Sequence, residues 1–172
     1  MDYKTVLDFW YPSEGFQKFW FSGKRDRRVD QDITHKFESY LNKLENGELE
    51  SWEVSLEGLL GIVLLSDQII RNVDRFYERD RKPIFDAISK KAAYDYMELS
   101  KKSNHNPSLE HFIFILMPFR HSSELQDREY VFEYLDEFYS KERAAEEKKL
   151  DLYNRFVSAS KRGIEIIKKM KC

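Results

Sequence analysis

The stretch Leu64-Leu65-Ser66-Asp67-Gln68-Ile69-Ile70-Arg71-Asn72-Val73 decides the fold, because it sets hydrogen-bonding side chains inside the most apolar part of the chain. Leu56, Leu59, Leu60, Ile62, Val63, Leu64 and Leu65 cover every face of the segment, and the run is too long for a β-strand. It predicts a central buried helix from about Leu56 to Asn72. Burying amides and charges is costly unless each finds a partner. Asp67, Gln68, Arg71 and Asn72 must therefore form a satisfied network or line a pocket. Asp67 and Arg71 stand at i, i+4, as do Gln68 and Asn72, so each pair can meet on a helix surface.

Outward from this segment the spacing is helical throughout. Ile33, Phe37, Tyr40, Leu41 and Leu44 form one face of an amphipathic helix over Asp30 to Leu44, stopped by Asn46-Gly47. Ser55 is a predicted N-cap. A charged connector, Asp74 to Lys82, leads to a helix over Ile84 to Ser100. Ser108 caps a second buried helix that ends near Pro118, and Leu125 to Tyr139 follows. Ala144 to Met170 reads as one long or broken helix, with a kink at Gly163. Near the start, Phe9-Trp10-Tyr11 and Phe19-Trp20-Phe21 anchor a short helix; Pro12-Ser13 is a helix-start signal and Ser22-Gly23 closes the second block.

No element reads as a strand. The expected fold is all-α, with antiparallel helical hairpins stacked in a tetratricopeptide-repeat-like right-handed array or bundle. One helical domain is expected over 1–172, with an aromatic anchor at 1–23, a helical body at 29–140 and a C-terminal helix at 144–170.

Composition narrows the function classes. Formal net charge is -2, from 29 basic and 31 acidic residues, so no excess of positive charge points to nucleic acid. The single cysteine, Cys172, permits no intramolecular disulfide and no cysteine metal site. Met1-Asp2-Tyr3-Lys4 opens no secretion signal, and no apolar run reaches the roughly 20 residues of a membrane span. A cytoplasmic protein without membrane insertion is expected. Neither a metal nor a cofactor is expected, since no His-Glu-X-X-His, calcium loop or phosphate-cradling glycine cluster is present.

Two clusters carry chemistry. Asp67, Gln68, Arg71 and Asn72 either cap and bridge, or bind a small anion or peptide carboxylate with Arg71 as the forked donor. In Met117-Pro118-Phe119-Arg120-His121-Ser122-Ser123-Glu124, Ser122 or Ser123 can cap the next helix. His121 beside Ser122 and Glu124 could instead serve as a general base.

These motifs, with Val6-Leu7-Asp8-Phe9-Trp10 and Lys18-Phe19-Trp20-Phe21, resemble the family called domain of unknown function 924, from the N-terminus to about Glu129. The resemblance implies an all-helical bundle related to tetratricopeptide arrays and supplies no mechanism. Ser123 intervenes where members read His-Ser-Glu, Phe76-Tyr77 replaces Gly-Thr, and Gly163 stands where members carry a histidine. Members then run into a Gly-Arg-Phe-Pro-His-Arg-Asn segment that is absent before Cys172. If that segment belongs to a shared site, the resemblance implies reduced enzymatic capability here, or a scaffold role. The expected function is thus a binding module for a protein segment or a small anionic ligand, lined by Asp67, Gln68, Arg71, Asn72, His121 and Ser122. The alternative is a hydrolase using His121 and Glu124, with Arg71 holding an anion. The oligomeric state is left open.

Overall fold

Helices begin where the sequence supplies a cap. Asp2, Asp26, Ser55, Ser108 and Ser140 each accept a backbone N–H of the first turn through a side-chain oxygen. In the computed structural model, which describes residues 1–21 and 26–170, these caps open α1 (Tyr3–Trp10), α2 (Arg27–Glu45), α3 (Leu56–Val63), α6 (Leu109–Arg120) and α8 (Lys141–Glu146). The others are α4 (Ile70–Tyr77), α5 (Lys82–Lys102), α7 (Leu125–Phe138) and α9 (Leu150–Met170). Short 3-10 turns occupy Lys18–Phe21 and Glu50–Val54. The described residues contain no strand, so the fold is all-α. Ser22-Gly23 and Cys172 lie outside the described residues.

The chain divides into two compact units, Met1–Leu99 and Ser100–Cys172. In the first, α2 packs along α4 and α1 along α3. The predicted central helix is present but changes character midway. Leu64–Ile69 forms a π-helical turn between α3 and α4, where the Ile70 N–H reaches back to the Leu65 carbonyl. Such wide turns are rare and tend to mark functional positions. The helical path then runs to Tyr77, five residues past the predicted end at Asn72, and the left-handed Glu78 (φ 54°) stops it. The first residues of the predicted charged connector are thus helical. Asp74, buried, accepts the Arg81 N–H at 2.6 Å and closes the loop. Gly58 is required by close approach, since a Cβ there would lie 1.9 Å from the Trp52 carbonyl oxygen.

Pro12-Ser13 starts no helix. The Ser13 carbonyl and hydroxyl instead accept the Gln17 side-chain amide (2.8 and 2.9 Å), and the 3-10 turn begins only at Lys18. The aromatic blocks do anchor: Trp10 and Trp20 are buried, and Trp20 Nε1 donates to the Trp10 carbonyl at 2.9 Å.

In the second unit α6 packs with α7 and α9. Phe112, Ile113, Phe114, Ile115 and Leu116 are all fully buried, as a helix apolar on every face requires. Pro118 does not end α6, which continues to Arg120; in the last turn its missing N–H removes a single bond. The predicted C-terminal helix 144–170 is broken between α8 and α9, where Lys148 adopts φ 60° and the Lys149 N–H reaches the Ala144 carbonyl at 2.7 Å. Gly163 sits within α9 without interrupting it.

Candidate functional site

α2 carries an aspartate on its core stripe. Asp30, Ile33, Thr34, Phe37, Leu41 and Leu44 are all buried. The Asp30 carboxylate, 4% exposed, is held from α4: Arg75 donates through Nε to Oδ2 (2.7 Å) and through Nη2 to Oδ1 (2.8 Å). Asn72 Nδ2 adds a bond to Oδ1 at 3.0 Å. This paired geometry is the strong form of a guanidinium–carboxylate contact, and the bonds to Asp30 raise Arg75 above the ordinary guanidinium value.

The π-turn carries Asp67. Its side chain is 1% exposed and accepts Gln68 Nε2 at 2.7 Å. Arg71 is committed at one atom only: Nε donates to the Asp67 carbonyl at 2.8 Å. Its Nη2 lies 4.0 Å from Asp67 Oδ1, too far for a hydrogen bond, and is buried with no acceptor. The expected Asp67–Arg71 pairing is therefore a backbone bond plus a loose ionic contact. The expected Gln68–Asn72 approach is replaced by separate bonds to two carboxylates, Asp67 for Gln68 and Asp30 for Asn72.

Gln68, Arg71, Asn72 and Arg75, at i, i+3, i+4 and i+7, form the floor of a cavity of about 380 Å³. Trp10, Phe19 and Trp20 contribute its aromatic wall, with Asp26, Val29, Asp30 and Ile33 from the start of α2. Trp10 and Phe19 meet edge to face at 5.5 Å, which fixes the wall against the α1 end. A pocket of this size with an apolar wall and convergent polar groups has the form of a small-ligand site.

Asp30, Arg75 and the tryptophans complete a site of which the sequence named Gln68, Arg71 and Asn72; Asp67, expected to line it, is buried and does not. The signals were present. Asp30 interrupts an otherwise apolar stripe, and Arg75 continues the helical spacing of Gln68, Arg71 and Asn72 by one more turn.

The remaining candidate residues, His121, Ser122 and Glu124, belong to the second unit. Ser122 Oγ accepts the Glu124 N–H (3.1 Å) and donates to Asp127 Oδ2 (2.7 Å), while Arg128 Nε donates to the Ser122 carbonyl at 2.6 Å. His121 caps the end of α6. The Glu124 side chain is exposed and makes no bond among the described residues, so it does not orient His121. Among the described residues no group of His, Cys, Asp and Glu side chains is placed to hold a metal ion, and no helix is long and apolar enough to cross a membrane.

Fold and cavity together define an all-α protein with an aromatic-walled, polar-floored pocket. The chain belongs to the family described as bacterial protein of unknown function (DUF924), whose model matches residues 6–171. The match thus extends well past Glu129, where the motif resemblance stopped. Its fold is similar to that of a solved protein of unknown function from Agrobacterium tumefaciens, at 20% identity and a TM-score of 0.66, covering 90% of this chain and 83% of that one. No curated protein matches the chain.

Proposed function

We propose that this protein is a binding module whose pocket between α2 and α4 takes a small ligand bearing a carboxylate, with Arg71 as the receiving group. The observation that carries the reading is the half-bonded guanidinium on the cavity floor: the Arg71 side chain is 35% exposed, lines the cavity and makes its hydrogen bond through Nε. The part of the guanidinium left open to the cavity can meet a ligand carboxylate in a charge-assisted pair. Arg75 lies one turn away with its Nε–Nη2 edge and its charge already paired to Asp30, so Arg71, whose ionic contact is loose, is the cation more available to a ligand. The aromatic wall would hold the ligand's apolar body.

Calorimetric titration with 3-phenylpropanoate tests the reading. The wild-type chain should bind it, and Arg71→Lys should weaken binding by roughly tenfold or more, because a lysine keeps the charge and loses the fork. Arg71→Gln should do the same. Equal binding by all of them, with each variant confirmed as folded by circular dichroism, would refute it.

A further inference from the structure

The pocket floor specifies more than an anion. A carboxylate oxygen only accepts hydrogen bonds, which fixes both amides despite the usual ambiguity between their oxygen and nitrogen. Gln68 must turn its NH2 to Asp67, and Asn72 must turn its NH2 to Asp30. Gln68 Oε1 and Asn72 Oδ1 are left as acceptors, neither receiving a hydrogen bond among the described residues. Both residues line the cavity on the same helical stripe as Arg71. The floor therefore presents the exposed part of the Arg71 guanidinium together with two carbonyl acceptors.

Among the described residues the ionised side chains lining the cavity are Asp26, Asp30, Arg71 and Arg75, two of each sign. This described lining suits a ligand that carries a single carboxylate beside a neutral N–H, or one whose own charges nearly cancel. Asp26 is exposed on that wall, and the one bond of its carboxylate is the cap to the Arg28 N–H at 2.9 Å. The aromatic part of the lining is the exposed ring of Phe19 with the largely buried Trp10 and Trp20, against which an apolar group can lie.

We infer that the ligand is an α-amino acid unit with a large apolar side chain, either free or as the last residue of a peptide. Its carboxylate meets Arg71, its N–H donors meet the Gln68 and Asn72 carbonyls, and its side chain lies against the aromatic wall. This rests on the carboxylate reading above and adds the requirement for an N–H next to the carboxylate.

The test compares ligands on the unaltered full-length chain, followed by tryptophan fluorescence and calorimetry. The probes are 3-phenylpropanoate, L-phenylalanine, N-acetyl-L-phenylalanine and phenethylamine. L-phenylalanine or its N-acetyl form should bind roughly tenfold more tightly than 3-phenylpropanoate, which differs in lacking the N–H. Phenethylamine, without the carboxylate, should not bind. Preference for L-phenylalanine identifies a free amino acid; preference for the N-acetyl form identifies a peptide terminus. Tightest binding by 3-phenylpropanoate overturns the inference and leaves the carboxylate reading intact. Binding of phenethylamine as tight as that of the acids, or binding of none of the four, overturns both.

Discussion

Replacing Asp30 by asparagine separates an ion pair that holds α2 to α4 from one that merely decorates the surface. Asp30 is 4% exposed and accepts Arg75 Nε, Arg75 Nη2 and Asn72 Nδ2 at 2.7, 2.8 and 3.0 Å. In Asp30→Asn one oxygen remains for Arg75 Nη2 and Asn72, but an NH2 now faces the Nε–H, so a charge-assisted bond becomes a donor–donor contact. Breaking a fully buried pair costs about 3–5 kcal/mol. Arg75 is 36% exposed and can turn part of its charge to water, so the expected loss is smaller, about 2–3 kcal/mol. For a chain of this length that is a fall in melting temperature of roughly 4–12 °C. Urea denaturation followed by circular dichroism measures it, and the double variant with Arg75→Met should recover at least about 1 kcal/mol of the sum of the single effects. A loss under about 0.5 kcal/mol would place the pair among ordinary surface contacts and refute the argument.

Two glycines should answer alanine differently. Gly58→Ala drives a methyl into the Trp52 carbonyl, a backbone atom that cannot step aside, and should cost at least about 3 kcal/mol in thermal denaturation. At Gly163 the same methyl meets only Arg128 Nη1, at 2.6 Å, the far end of a flexible side chain. The gain in helix propensity then offsets the crowding, and the net change should stay within about 1 kcal/mol. On the alkaline side, burial raises the Tyr96 hydroxyl, and burial together with the bond to Glu147 raises that of Tyr139. Folding thus favours the protonated phenols. Their contribution is complete below the ordinary tyrosine value of 10.0 and is lost as pH climbs from there through the raised folded values. Urea midpoints should fall on the high side of that pH, and less steeply in Tyr96→Phe.

Much of the fold is written in local chemistry. Ser55 and Ser108 could be named as caps because a serine ahead of an apolar run has one economical use, and Asn46-Gly47 because a left-handed residue there favours glycine (φ 74°). The π-turn at Leu64–Ile69 was not legible, since no residue's intrinsic preference encodes such a rare wide turn. The sequence allows a broken helix after Ala144, but the position of the break after Glu146 rather than at Gly163 was not legible, because Lys148 takes a left-handed conformation that lysine seldom adopts. The site was half visible. The stripe of Gln68, Arg71 and Asn72 can be read from spacing, but its continuation to Arg75 acquires meaning only once Asp30, 45 residues away in sequence, arrives beside it. Nothing in the order of residues tells that Trp10 and Trp20 wall the same cavity.

The most direct measurement is the nitrogen-15 signal of the Arg71 guanidinium, followed while 3-phenylpropanoate is titrated into the full-length protein. A carboxylate docking on Nη should move that signal along a saturable single-site curve with the same midpoint as the calorimetric one. An Arg71 signal that stays in place while the ligand binds, or while no ligand binds at all, would contradict the account.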